Sequence, residues 1–99
     1  MTAYNVVRMR VKPDSVDAFL AYYRERPVDF PGLKSMTVVK TGERDFCLIG
    51  AWTGMDALAA ARPAMIASLD QHRGKLDDLG GGLGVTDPVS GEAVIERSP

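Results

Sequence analysis

Apolar and polar positions alternate with a period of two over residues 4–12: Asn5, Val7, Met9 and Val11 fall on one side, Val6, Arg8, Arg10 and Lys12 on the other. This predicts a first strand. In KPDSVDAFLAYYRERP the period becomes helical, with Val16, Phe19, Leu20 and Tyr23 at i, i+3, i+4 and i+7, Asp14 placed to cap the start and Pro27 to stop the helix. Two β-rich runs follow, residues 33–40 and 45–53, joined by the short loop TGER as an antiparallel hairpin. Thr53 and Asp56 form a capping-box pair that opens a second helix through MDALAAARPAMIASLDQHRGKLDDL, which must kink or break at Pro63.

The next stretch, LGGGLG, resembles a phosphate loop only in composition. A phosphate loop follows a strand and opens a helix, whereas these glycines follow helical periodicity, so they are expected to end the second helix. LGVTD then predicts a fourth strand, DPVSG a turn, and AVIE a last apolar piece that can extend to a sheet edge. The order is β-α-β-β-α-β, an α+β, ferredoxin-like fold with an antiparallel sheet. It occupies residues 1–99 as a single domain, with the core over 4–87 and a tail, 88–99, able to add one strand.

Two helices cover one face of such a sheet, yet the third strand is apolar on both sides: Phe46, Leu48 and Trp52 on one, Cys47, Ile49 and Ala51 on the other. A second copy stacked on the open face would cover it, so a homodimer is expected.

Composition narrows the partners. With 12 basic and 13 acidic side chains and a net charge of −1, no basic excess is present for nucleic acid. No apolar run approaches a membrane span or a signal peptide, so a cytoplasmic location is expected. A single cysteine, Cys47, excludes an internal disulfide, and one histidine leaves no His/Cys metal set, so no metal is expected.

The element order, together with IGAWTGMDALAAA and KPDSVDAFLAYY, resembles the antibiotic biosynthesis monooxygenase family. The resemblance implies a dimeric α+β barrel with a ligand cavity between the helices and the sheet of each subunit. It also implies, for part of the family, oxygenation of polycyclic phenols without metal or flavin. The haem-degrading branch carries a tryptophan on the second helix; here the second helix has none and Trp52 ends the third strand, so haem degradation is not implied.

His72 shares a helical face with Leu58, Met65, Leu69 and Leu76, the face turned to the sheet. It is either a buried structural imidazole or a general base able to take a phenolic or enolic proton. Tyr23 and Asn5 are candidate orienting groups, and Trp52, Met65 and Leu69 candidate substrate-lining side chains; Tyr22 points away from the inner face. Arg8, Arg10, Arg62 and Arg73 read as solvated or ion-paired charges, and two of them converging on the cavity would imply a carboxylate-bearing substrate. The leading expectation is a cofactor-independent monooxygenase-like enzyme acting on a small or polycyclic phenolic aromatic. The competing one is a non-catalytic dimeric module that binds a hydrophobic metabolite or acts in stress or regulation.

Overall fold

The computed structural model describes residues 1–99. The chain runs β1 (Ala3–Val11), α1 (Val16–Glu25), β2 (Leu33–Lys40), β3 (Asp45–Trp52), α2 (Met55–His72), a single 3₁₀ turn (Arg73–Lys75), β4 (Leu76–Asp77) and β5 (Asp87–Glu92). The strands form one antiparallel sheet in the order β2-β3-β1-β4, and β5 also pairs with β1. This is the α+β, ferredoxin-like arrangement, with both helices on one face. No helix is long and apolar enough to cross a membrane.

The period-two pattern of β1 decides which side is covered. Ala3, Asn5, Met9 and Val11 are buried under the helices, whereas Tyr4, Arg8 and Arg10 are exposed on the opposite face. Beneath the helices the core forms two clusters at the two ends of β1. Met9, Val11, Phe19, Phe46 and Leu76 make one, and Ala3, Trp52, Leu58 and Ala61 the other. Burying one large apolar side chain of this kind is worth about 1.5–3 kcal/mol, so both ends of the layer are firmly closed. Between them lie the rungs Val7–Leu48 and Asn5–Gly50. Gly50 carries no side chain, and the side chains of Asn5 and Trp52 lie over it.

The fourth strand differs from the sequence reading. Asp77 lies opposite Arg10 and Asp87 opposite Arg8, so β4 and β5 run in line along one edge of β1 and residues 78–86 form an excursion between them. LGVTD is therefore not the strand, and DPVSG is strand rather than turn. Pro88 and Gly91 are turn residues by local preference, but β5 has β1 on one side only, and a proline is accepted on such an edge because its missing N–H costs no ladder bond.

The glycines do not end α2. That helix stops at His72, three residues of 3₁₀ turn follow, and Leu76, expected on the helix, is instead a buried residue of β4. Gly80, Gly81, Gly82 and Gly84 all have φ between 62° and 80°, in a loop closed by Leu79 N–H donating to the Gly84 carbonyl at 2.7 Å. The left-handed backbone that glycine permits is used to turn within a strand, not to cap a helix.

Three smaller expectations also change. Of the two outcomes expected at Pro63 the break does not occur: the proline lies inside a continuous α2 and is exposed, as is Ala59, whose carbonyl would have received the missing N–H. The N-caps are Ser15 and Gly54, without side-chain capping bonds, in place of Asp14 and the Thr53–Asp56 pair. AVIE forms no strand: Ala93 N–H donates to the Thr2 carbonyl at 2.8 Å, and Val94 and Ile95 are exposed.

Candidate active site

A cavity of about 440 Å³ lies between the sheet and the helices, over the Val7–Leu48 and Asn5–Gly50 rungs. Its volume is that of a small-molecule site. Asn5, Tyr23, Trp52, Met65, Leu69 and His72, singled out from the sequence, all contribute to its wall. The inner strand face supplies the first and third of these, α1 the second, and α2 the remainder at positions three and four residues apart.

The polar centre is built by α1 packing along α2. Tyr23 Oη stands 3.0 Å from His72 Nε2, and His72 Nδ1 stands 3.0 Å from the Ser68 carbonyl. A carbonyl only accepts, so Nδ1 carries the hydrogen, Nε2 presents its lone pair, and the tyrosine hydroxyl donates to it. Burial pushes the His72 imidazole below its ordinary value, opposed by the bond to Ser68 and reinforced by the charges of Lys75, Arg26 and Arg73. Burial also pushes the Tyr23 phenol up to about 12, while Arg26 pulls it down. At neutral pH both groups are uncharged, in the donor–acceptor arrangement the geometry requires. His72 is only 2% exposed, so a molecule in the cavity meets this pair through Tyr23.

A second set of contacts was not foreseen. Tyr22, expected to point away, is half-buried against α2: its ring centre is 4.6 Å from that of His72, and its hydroxyl lies 2.5 Å from Ser68 Oγ. Arg26 donates from Nη1 to the same Ser68 Oγ at 2.6 Å, and its guanidinium lies over the rings of Tyr22, Tyr23 and Phe30 at 5.3–5.7 Å. Two signals in the chain point to this cluster. Ser68 is a small polar residue one turn before His72 on the inner stripe, and Arg26 follows the tyrosine pair at i+3 and i+4.

Asn5 and Trp52 hold each other. The indole Nε1–H donates to Asn5 Oδ1 at 2.7 Å, which satisfies a tryptophan buried among Ala3, Leu58 and Ala61. The Asn5 amide N–H groups have no partner within the chain, leaving donors at the cavity wall. Gly50 makes room for the pair: a Cβ there would come within 2.9 Å of Trp52 Nε1 and closer still to Asn5 Oδ1. Of the arginines considered, only Arg62 reaches the cavity; Arg8, Arg10 and Arg73 are paired with Asp87, Asp45 and Asp70 on the outside. No group of three or more His, Cys, Asp or Glu side chains is placed to hold a metal ion.

No protein-family profile and no curated protein sequence matches the chain. Solved structures do. A crystal structure of an antibiotic biosynthesis monooxygenase superposes with a TM-score of 0.70 over 94% of this chain and 99% of that one, at 17% identity. The chain has the antibiotic biosynthesis monooxygenase fold. A Chloroflexus aurantiacus J-10-fl protein provisionally named an antibiotic biosynthesis monooxygenase gives a TM-score of 0.72 at 16% identity, covering 99% of this chain and 98% of its own. An MhuD variant with two manganese protoporphyrin IX bound per active site gives 0.66 at 13% identity, covering 98% and 99%. At such identities the likeness is one of fold.

Proposed function

We propose that this protein is a cofactor-independent oxygenase-like enzyme that takes a small or polycyclic phenol into the cavity and removes its proton through Tyr23 and His72. The observation that carries the reading is the 3.0 Å contact between the Tyr23 hydroxyl and an unprotonated His72 Nε2 in the wall of a mainly apolar cavity. A phenolic O–H of the substrate donates to Tyr23 Oη as the tyrosine passes its own proton to Nε2. The net result is a phenolate in the cavity, a neutral tyrosine and an imidazolium. The burial that disfavours an isolated imidazolium is offset by the phenolate formed beside it. Asn5 supplies amide donors to the anion, and Trp52, Met65 and Leu69 hold the ring system.

The electron-rich anion then reacts with dioxygen. In an anthrone-like substrate a ring CH₂ becomes C=O, one oxygen atom entering the carbon and the other leaving as water with the two hydrogens. The four electrons come from the substrate, so the balance requires no further reductant.

One observation favours a second reading, a module that binds a hydrophobic metabolite without transforming it. His72 is nearly sealed and fully bonded, as a structural histidine would be. Oxygen uptake separates the two. With hydroquinones and anthrone-like phenols as substrates, the parent is expected to consume oxygen above the buffer rate, and His72→Ala and Tyr23→Phe to lose at least ~10²-fold of that rate, the usual worth of a positioned acid–base group. Equal rates for parent, variants and buffer leave only the binding module.

A further inference from the structure

Of the eight arginines of this chain, four are held by carboxylates and two line the cavity. Arg8, Arg10, Arg44 and Arg73 are each paired with an aspartate. The two arginines that line the cavity are not. Arg26 donates to the Ser68 hydroxyl and also acts on the Tyr23 hydroxyl, and Arg62 donates to the Ser90 hydroxyl at 2.9 Å; neither meets a carboxylate. No aspartate, glutamate or lysine lines the cavity. The wall is therefore mainly apolar, with neutral polar groups and a positive charge that no carboxylate in it compensates.

Arg26 is the more informative of the two. It is half-buried, and the rings of Tyr22, Tyr23 and Phe30 hold its guanidinium in place, so little side-chain freedom remains to be lost when it meets a ligand. A guanidinium has five N–H donors, and one is committed to Ser68. A cation withdrawn from water with free donors favours an anion that can accept two of them side by side.

We propose that the ligand of this cavity is an amphiphilic carboxylate: a fused aromatic body against Trp52, Met65 and Leu69, and a carboxylate bound by Arg26, with Arg62 attracting it at the rim. The proposal rests on the reading of this cavity as a ligand site, and it narrows the substrate to a phenolic aromatic acid. Because Arg26 lies over the ring of Tyr23, the carboxylate sits at the same end of the cavity as the Tyr23–His72 pair.

The test is calorimetric titration of the intact chain with 2-naphthoate and with 2-naphthamide, which is close in shape and uncharged. The parent is expected to bind the carboxylate about tenfold or more tightly, the range of a charge-assisted bidentate contact. In Arg26→Gln the ratio of the two affinities should fall toward one. In Arg62→Gln, an exposed position, it should fall by only about two- to threefold, and that smaller effect should vanish in high salt. Decanoate and decanamide form a second pair, with decanoate expected to bind more weakly than 2-naphthoate. Equal affinity of the parent for naphthoate and naphthamide overturns the carboxylate site and leaves the oxygenase reading standing. A selective site with no oxygen uptake overturns the oxygenase and leaves the carboxylate site. Binding of neither naphthalene compound overturns the aromatic carboxylate site and leaves the oxygenase reading to the oxygen-uptake test. Decanoate binding as tightly as naphthoate overturns the aromatic body.

Discussion

The state of single side chains governs what the cavity can do. His72 is held below its ordinary pKa of 6.5 chiefly by burial. Between the depressed folded value and the unfolded one the unfolded chain binds more protons, so stability rises with pH across that window and is lost as pH falls through it. Urea midpoints followed downward from neutral pH are expected to begin falling below about pH 6.5, and the fall should be shallower in His72→Gln. Gly50 is the other sensitive position. Gly50→Ala pushes a methyl between Asn5 and Trp52 and is expected to cost ~1–3 kcal/mol in chemical denaturation, with a changed Trp52 fluorescence maximum reporting the lost bond. The placing of His72, Tyr23, Met65 and Leu69 was legible because helical periodicity alone assigns them to one side of a helix. For Tyr22, Arg26 and Ser68 the spacing shows only neighbours on the same helix; their contacts across the two helices depend on how closely α1 lies beside α2, a distance no periodicity contains.

Among the elements, the interrupted fourth strand departs most from local preference. Its glycines keep left-handed backbone with nothing near a would-be Cβ, so substitution there meets a purely conformational cost. Gly82→Ala is expected to destabilise the fold by ~1–2 kcal/mol. Gly74 also has open space around it but no positive φ, so Gly74→Ala should stabilise by ~0.4–1 kcal/mol by restricting the unfolded chain. Thermal unfolding of the two variants beside the parent checks both signs. The boundaries of β1, α1, β2 and β3 followed from pattern to within a few residues. β4 and β5 did not, because Leu76–Asp77 continues a helical pattern and DPVSGE carries turn residues; only the vacant edge of β1 recruits both segments.

At the scale of the molecule the uncovered sheet face bears on assembly. Thr37, Ile49, Val6 and Val89 line up across four strands on that face, and Val39, Val89 and Tyr4 are exposed there. The face is more apolar than a solvated antiparallel sheet requires, which supports the proposal of a two-fold homodimer packed sheet to sheet. Sedimentation at micromolar concentration is expected to give a dimer for the parent and a monomer for Ile49→Glu, which buries a charge at the centre of the row. A monomeric parent would remove the proposal.

Alternation and helical spacing, read without any coordinates, were enough for the α+β class, the β-α-β-β-α-β order, the inner face of each early element and the side on which His72 lies. Each of these is a property of residues close together along the chain. The tertiary structure decided the cavity itself, which lies over the Val7–Leu48 and Asn5–Gly50 rungs between the two clusters of the core. It also decided that Tyr23 bonds His72, that Arg26 lacks a carboxylate while Arg8, Arg10 and Arg73 have one, and that the glycines interrupt a strand. These depend on contacts between distant segments, whose distances are set only when the layers pack.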